Sequence, residues 1–391
     1  MTTANKTRIQ SIDLLRGIVM ILMALDHTRD YFNADSFNFD PLDLERTSVP
    51  LFLTRWITHF CAPIFMLLTG TSAFLVGERK GIKALSKFLF TRGLFLVVME
   101  HTVFNFGWNF NIHFPEIDFL VIWSLGVSMI ALSGMVFLPK KIILTIGIIL
   151  VAGHNLLDKV HVAGKGFEAF LWALLHEPGM FSFGGKAFFV MYPVIPWIGI
   201  IALGYSLGSL YSKEVSSAKR EKTLAWLGAG CLVLFVIFRS INKYGDPSPS
   251  TFQASPAMNF LSLIKVTKYP PSFLYTLLTI GPALIFLALS EMPPGRLGKI
   301  VSVYGRVPMF YYILHIYLIH ILAMFATSFS GHQWSDMIFP GFTNEKLNGY
   351  GFSLGITYLV WLAVISILYP FCKWYDGYKT RHKEKWWLSY L

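Results

Sequence analysis

The feature that most constrains this chain is a series of apolar stretches long enough to cross a lipid bilayer. A helix needs about 20 apolar residues to span the hydrocarbon core. Hydrophobic residues make up 54% of the chain and charged residues only 14%, which excludes a disordered chain, a disulfide-stapled secreted module and an ordinary soluble enzyme. The sequence therefore predicts an all-α fold, a polytopic bundle of membrane helices. Ten stretches qualify as spans: 12–33, 51–77, 88–108, 119–138, 141–157, 187–211, 223–240, 270–290, 307–328 and 351–373.

The basic residues predict how this bundle is oriented. With a cytoplasmic N-terminus, the inner segments hold 21 of the 33 Lys and Arg residues and the outer segments hold 10. Because cytoplasmic loops are enriched in Lys and Arg, both termini are expected in the cytoplasm, as a short segment 1–11 and a basic tail 374–391. The stretch 166–176 is too short to cross, and an eleventh span there would break the charge pattern. It is therefore expected to be re-entrant or interfacial.

We expect one domain over residues 1–391, with the lipid bilayer as its surroundings. The net charge of +11 lies in short loops beside the spans, so topology explains it and nucleic acid is not an expected partner. The sequence leaves open whether the bundle forms a homodimer.

Several ionisable side chains fall inside the predicted spans. A charge in the hydrocarbon costs at least about 2.5–3.5 kcal/mol, so such a group is usually functional or paired. With a rise of about 1.5 Å per residue, ionisable side chains on four different spans lie at a similar depth in the outer half of the membrane. We therefore expect a polar cavity there that reaches the midplane. These groups are His27, His59, Glu100, His101 and His320, with His315 nearer the midplane.

The first span carries the strongest candidates, Arg16 and His27. They lie eleven residues apart, so they share one helix face about 16 Å apart along the axis. This arrangement suits a long anionic ligand, such as one with a pantetheine arm, whose phosphate or carbonyl the guanidinium would hold. His27 would then act as a general base. A plainer interpretation of Arg16 is an i,i+3 ion pair with Asp13 at the membrane edge.

Other polar residues could complete such a site. Glu100 or Asp26 could orient an imidazole, as a carboxylate does in a catalytic triad, and His59 or His315 could donate a hydrogen bond. The alternatives are an ion pair of Glu100 with Arg92, and purely structural roles for the two histidines. For His59, that role would be a bond to the backbone that Pro63 loosens.

A metal or haem centre is a competing use of several imidazoles at one depth. No HExxH motif or paired-histidine spacing supports it, so we predict no metal site.

Five features in order along the chain resemble membrane acyltransferases. They are the Arg16-x10-His27 pair, which is similar to the arginine–histidine signature of the acyltransferase-three family, and the stretches 11–17, 59–70, 192–205 and 304–315. As a set they are similar to bacterial proteins related to heparan-alpha-glucosaminide N-acetyltransferase. One departure is that the lysosomal branch has asparagine at the position of His27 and a histidine further along. The equivalent stretch near Asn38 has no histidine, so heparan-type acceptors are not implied.

The resemblance implies an acyl-CoA-dependent acyltransferase of a bacterial inner (plasma) membrane. Acetyl-CoA or another acyl-CoA would be the cytoplasmic donor substrate, and a hydroxyl or amine of a sugar or glycan on the outer side would be the acceptor. The rival functions are a proton-coupled transporter with a His/Glu relay and a non-enzymatic sensor or assembly partner. The candidate catalytic residues are His27, Glu100 and His59, and the candidate substrate-binding residues are Arg16, Asp26, His101, His315 and Arg306.

Overall fold

Helices dominate the computed structural model, which describes residues 9–293, 295–340 and 345–389. Most of the predicted N-terminal segment 1–11 and the last two residues of the predicted tail 374–391 lie outside the described residues. The α-helices are α1 (Gln10–Phe32), α2 (Val49–Ile57), α3 (Cys61–Lys80), α4 (Ile82–Met99), α5 (Asn105–Asn109), α6 (Val121–Met135), α7 (Lys140–Gly153), α8 (Phe167–Leu175), α9 (Ile195–Leu207), α10 (Ser217–Ile241), α11 (Pro256–Ile264), α12 (Phe273–Leu289), α13 (Arg296–Arg306), α14 (Pro308–Phe329) and α15 (Leu354–Arg381).

Each of the ten predicted spans falls on a helical segment. Two of these segments are composite: a 3₁₀ turn, Thr58–Phe60, joins α2 to α3, and a π-helical turn, Glu100–Phe104, joins α4 to α5. The chain is therefore a multi-pass membrane protein, while the number of crossings and the side of the termini stay predictions. Among the described residues, five segments are long and apolar enough to cross a membrane: Val49–Lys80, Lys140–Leu157, Ser217–Ile241, Pro308–Phe329 and Leu354–Arg381.

A small β-sheet corrects the all-α prediction. Strands β1 (Glu116–Phe119), β2 (Gly179–Phe183) and β3 (Lys186–Val190) pair in the order β1–β3–β2, with β1 parallel and β2 antiparallel to β3. The β2–β3 turn uses Gly184 and Gly185 at φ 57° and 77°, which glycine adopts without steric cost. The sheet takes the first residues of the predicted span 187–211, because a short apolar strand and a helix start look alike by hydrophobicity alone.

The stretch 166–176 forms the short helix α8, which packs on this sheet. Ala169 and Ala173 of α8 share a buried cluster with Phe119, Phe181 and Val190 of the strands. The stretch is therefore part of a small α/β layer rather than an additional span.

Helix α1 lies inside the bundle, in contact with α3, α13, α14 and α15. Glycine allows the closest of these approaches: a Cβ at Gly305 would lie 2.0 Å from the Asp13 carbonyl oxygen, and one at Gly17 would lie 2.1 Å from that of Val301. Small residues let membrane helices approach closely. A Cβ would meet the backbone of a neighbouring helix in the same way at Gly70, Gly93, Gly126, Gly204 and Gly228.

A buried arginine fixes the long segment between α10 and α12. Arg239, only 2% exposed, donates to the carbonyl oxygens of Leu263, Ser248 and Ser262 at 2.8–2.9 Å and also to that of Lys265. These bonds hold α11 against the end of α10. They thereby help to fix the segment that carries Lys268 to the site described next.

Candidate active site

Two buried histidines from different helices form a hydrogen-bonded pair. His27 on α1 places its Nδ1 2.8 Å from Nε2 of His315 on α14. The other ring nitrogen of His315, Nδ1, lies 2.9 Å from the carbonyl oxygen of Tyr311. His315 is fully buried and His27 is 8% exposed. The structure therefore brings these two predicted site residues into direct contact.

These distances fix the tautomers of both neutral rings. A carbonyl oxygen only accepts hydrogen bonds, so Nδ1 of His315 carries its proton and Nε2 carries its lone pair. The Nδ1–H of His27 must then donate to His315, which leaves the lone pair of His27 on its Nε2. Within the described part of the chain, this Nε2 has no hydrogen-bond partner. The pair presents one basic nitrogen, as general-base catalysis requires.

Aromatic rings enclose His27. The ring of Trp108 meets it edge-on with 4.6 Å between centroids, and the ring of Tyr312 meets it at 6.0 Å. Trp108 lies on α5, directly after the π-helical turn Glu100–Phe104. Such turns shift the register of a helix and are frequent at functional sites. Here the shift sets the position of the helix segment that carries Trp108.

Asp26, the neighbour of His27, is held by cations and does not orient the imidazole. Arg55 Nη1 lies 2.9 and 3.0 Å from its two carboxylate oxygens, Arg29 Nη2 lies at 2.9 Å and Lys268 Nζ at 3.8 Å. Arg29 also pairs with Asp30 at 2.5 Å. We call these three cations and two carboxylates the basic cluster, and its net charge is +1.

The three cations of the basic cluster are largely shielded from solvent, whereas the Asp30 side chain is 42% exposed. The side chains of Arg29, Arg55 and Lys268 are 3%, 12% and 6% exposed. Nε and Nη1 of Arg29 are buried without a hydrogen-bond partner in the described part of the chain. Buried charges interact strongly over short distances. His27 interacts with the Asp26 carboxylate and, individually less strongly, with the two cations Lys268 and Arg29.

Glu100 and His101 lie on the π-helical turn and face the strand β1 and the start of α6. Glu100 is fully buried, and its Oε2 accepts the backbone N–H of Trp123 at 2.8 Å. The ring of His101 packs edge-on against Phe119 at 4.7 Å and also lies near that of Trp123. The structure therefore does not place Glu100 on Nδ1 of His27, since His315 takes that position.

His59 lies on the 3₁₀ turn between α2 and α3, where the sequence predicts an irregular helix. Its Nδ1 lies 3.2 Å from the Arg55 carbonyl oxygen, and its own carbonyl accepts the Tyr275 hydroxyl at 2.7 Å. Its Nε2 is buried without a partner among the described residues. These contacts match the structural alternative for His59, while its free Nε2 leaves one acceptor for a ligand.

Arg16 lies on the same face of α1 as His27 but near the other end, where it joins three helices. It donates to Ser72 Oγ at 2.9 Å and to the Gly305 carbonyl at 3.3 Å, and it lies 3.6 Å from Asp13. The plainer alternative, an Asp13–Arg16 ion pair, is therefore present in the structure. Arg306, the last residue of α13, pairs with Asp376 of α15 at 2.7 Å.

A small apolar cavity of about 20 Å³ lies between α1, α3, α6 and α14. Met23, one helical turn before His27, lines it together with Phe65, Met66 and Tyr312. It has room for about one water molecule. This cavity is lined by apolar side chains and Tyr312, so it is not the polar cavity that the sequence predicts.

The sequence did not indicate four residues of this site: Trp108, Tyr312, Arg55 and Lys268. Arg55 and Lys268 enter the charge count only as outer-segment residues. The spacing of Arg55 four residues before His59 places both on one helix face and could have linked Arg55 to the site. No sequence signal indicates Lys268, because tertiary packing alone brings it to Asp26.

Comparison with known proteins assigns the chain to a family. The family model for the catalytic region of heparan-alpha-glucosaminide N-acetyltransferase matches residues 8–239, more than half of the chain. No curated protein matches the chain at a significant level. The matched region contains Arg16, His27 and the π-helical turn, whereas His315 lies beyond it. The chain thus belongs to the family defined by the catalytic domain of heparan-alpha-glucosaminide N-acetyltransferase.

Proposed function

We propose that this protein transfers a short acyl group, most simply acetyl, from cytoplasmic acyl-CoA to a sugar or glycan. The acceptor would offer a hydroxyl or amine on the outer side of a bacterial inner membrane. Family membership supports transferase activity, which also favours this function over a proton-coupled transporter. The single observation that carries the mechanism is the His27–His315 hydrogen bond of 2.8 Å.

In this proposal, Nε2 of His27 accepts the proton of the acceptor hydroxyl or amine while the nucleophile attacks the thioester carbonyl. The tetrahedral intermediate then expels the CoA thiolate, which takes the proton back from His27. His315 is a positioning residue, because its Nε2 holds the Nδ1–H of His27 and stabilises the imidazolium that forms. No metal is needed, since a thioester is already activated for acyl transfer.

The basic cluster has a role in this scheme. Negative charge develops on the thioester oxygen as the nucleophile attacks, and fixed positive charge near that point lowers the barrier. Lys268 and Arg29 are both close enough to His27 to interact with it electrostatically. The surplus positive charge of the basic cluster would stabilise the oxyanion. Glu100 and His59, which bond mainly to backbone groups, would act by positioning the helix segments around the site.

The geometry of α1 supports a donor path from the cytoplasm. The helix is continuous from Gln10 to Phe32, so Arg16 and His27 stay on one face about 16 Å apart, a span comparable to an extended pantetheine arm. The apolar cavity beside Met23 and Tyr312 has room for only about one water molecule, so even a short acyl group would have to displace side chains of its lining. Flexible methionine side chains in its lining could yield to a bound thioester.

The test is thioester cleavage by the purified protein in detergent. Acetyl-CoA is supplied with a panel of sugars that carry free hydroxyl or amino groups, and released CoA thiol and acetylated sugar are both quantified. We expect His27→Ala to abolish transfer while the protein remains monodisperse. His161→Ala is the matched control, because His161 is 66% exposed and pairs only with Glu177 in an outer loop.

Turnover by His27→Ala close to that of the native protein would remove His27 from the mechanism. Uptake of a solute into vesicles without loss of thioester would instead support a transporter. For the donor path, Arg16→Ala should weaken acetyl-CoA binding in a titration. Ser72→Ala controls for its structural contact, since it removes the Ser72 hydroxyl but leaves the guanidinium.

A further inference from the structure

Three metal-ligating side chains converge in the segment between α7 and β2. His154 begins a 3₁₀ turn at the end of α7, Asp158 follows that turn, and His176 ends α8. Nε2 of His176 lies 3.2 Å from Oδ1 of Asp158. One ligand atom from each of the three residues lies within 4.8 Å of the others. No local sequence pattern predicts this group, because the two histidines lie 22 positions apart.

The hydrogen bonds of this group are incomplete. His154 is 3% exposed, and neither of its ring nitrogens has a hydrogen-bond partner in the described part of the chain. The backbone carbonyl of Pro271 lies close enough to act on this ring as a weak acceptor, but it does not meet the distance and angle criteria of a hydrogen bond. Nδ1 of His176, also 3% exposed, is likewise without a partner among the described residues. Burying an unpaired polar atom is unfavourable, so these imidazoles are available to bind a ligand.

A hydrogen bond from Asn155 fixes the orientation of the Asp158 carboxylate. Asn155 Nδ2 donates to Oδ2 of Asp158 at 2.8 Å, and Asn155 Oδ1 accepts the backbone N–H of Phe273 at 2.9 Å. This bond leaves Oδ1 of Asp158 directed at His176. Metal-ligating carboxylates are commonly fixed by such outer hydrogen bonds. The group therefore has both the ligands and the supporting contact of a metal site.

We propose that His154, Asp158 and His176 bind one divalent zinc ion. Two imidazoles and one carboxylate suit zinc among the common biological cations, whereas Mg²⁺ and Ca²⁺ prefer oxygen ligands. Tetrahedral zinc with bonds of about 2.0–2.2 Å spaces its ligand atoms about 3.3 Å apart. The Asp158–His176 pair already has this spacing, and the widest pair must close by up to about 1.5 Å. Zinc replaces the proton on Nε2 of His176.

The ion would crosslink the C-terminal ends of α7 and α8. It joins the end of a membrane helix to the α/β layer that packs beside it, across the loop 159–166. Asp158 is 19% exposed, so a water molecule can complete the coordination. This inference is independent of the acyl-transfer proposal, since none of its residues belongs to the His27 site.

The experiment measures zinc binding by the full-length protein in detergent. The protein is stripped with a chelator and titrated with zinc chloride alone, and bound zinc is counted by mass spectrometry of the metal. We expect about one zinc per chain and a rise in the unfolding temperature on addition of zinc. His154→Phe and His176→Phe keep a ring but remove the ligand, and should each weaken zinc binding at least about tenfold.

His161→Ala is the matched control, because His161 lies in the same segment but is exposed and outside the group. It should bind zinc like the native protein. If a phenylalanine variant fails to fold, Asp158→Asn, which keeps the shape of the side chain, replaces it. Absence of stoichiometric zinc on the native protein would overturn the proposal. So would equal binding by the folded variants, because the zinc would then lie elsewhere.

Discussion

Substitution of His315 tests the proposed catalytic pair most directly. His315→Leu removes the acceptor of the His27 Nδ1–H but keeps a buried apolar side chain of similar size. The lost bond, 2.8 Å long in the structure, becomes charge-assisted when His27 takes up a proton. Hydrogen bonds to charged groups contribute about 1.5–3 kcal/mol. At 1.36 kcal/mol per factor of ten, kcat should fall about 10- to 150-fold.

The effect should appear in kcat rather than in KM for acyl-CoA. Only the transition state carries the full charge on His27, so the ground-state complex loses little. His315→Gln provides the conservative comparison, because its amide oxygen can accept the same proton and should restore part of the lost rate. The measurement is steady-state kcat and KM for acyl-CoA on both variants. Thermal unfolding confirms that each variant is folded. Native-like kcat in His315→Leu, or no gain in His315→Gln over leucine, would refute the pairing.

Two further predictions concern stability. Gly305→Ala should lower the free energy of unfolding by about 1–3 kcal/mol, because its Cβ would lie 2.0 Å from the Asp13 carbonyl oxygen. Gly230→Ala is the control and should leave the free energy of unfolding unchanged, since a Cβ there has no atom within 4 Å. Equal thermal midpoints would contradict the close packing of α1 and α13. Burial and the charge of Glu116 raise the pKa of Asp118 in β1 from 3.8 to about 7, so the folded state resists its ionisation. The free energy of unfolding should therefore fall by at most about 4 kcal/mol as pH rises from about 4 to 7. In thermal melts across this pH range, Asp118→Asn should reduce the dependence of stability on pH. An unchanged pH dependence in that variant would exclude Asp118 as its source.

Much of the architecture can be read from the sequence because membrane spans depend on local composition. All ten apolar stretches became helical segments, and the i,i+3 pair Asp13–Arg16 formed as helix geometry requires. The sheet could not be read in this way. Residues 187–190 are as apolar as the helix that follows, and their pairing with β1 joins segments about 70 residues apart.

The site was only partly predictable for a related reason. Depth along a helix follows from residue counting, which placed His27 and His315 among the ionisable groups of the outer half and the midplane, and the structure brings the two rings into contact. The direction in which a side chain points around the bundle depends on how the helices pack. Glu100 lies at a similar predicted depth to His27, yet its carboxylate turns to the backbone of Trp123. The bond that orients His27 joins residues 288 positions apart, and no local pattern encodes such a contact.

The choice of a histidine rather than a carboxylate to orient His27 has a physical reason. A carboxylate would add one more buried charge to the five charged groups of the basic cluster, and its desolvation would cost several kcal/mol before any substrate binds. Two neutral imidazoles avoid that cost. In the proposed reaction, charge would then appear only during acyl transfer, as a cation on His27 and an anion on the attacked carbonyl. The two charges form in the same step, and the positive charges of Lys268 and Arg29 would stabilise the anion. A neutral resting pair beside fixed positive charge is thus suited to acyl transfer within a membrane.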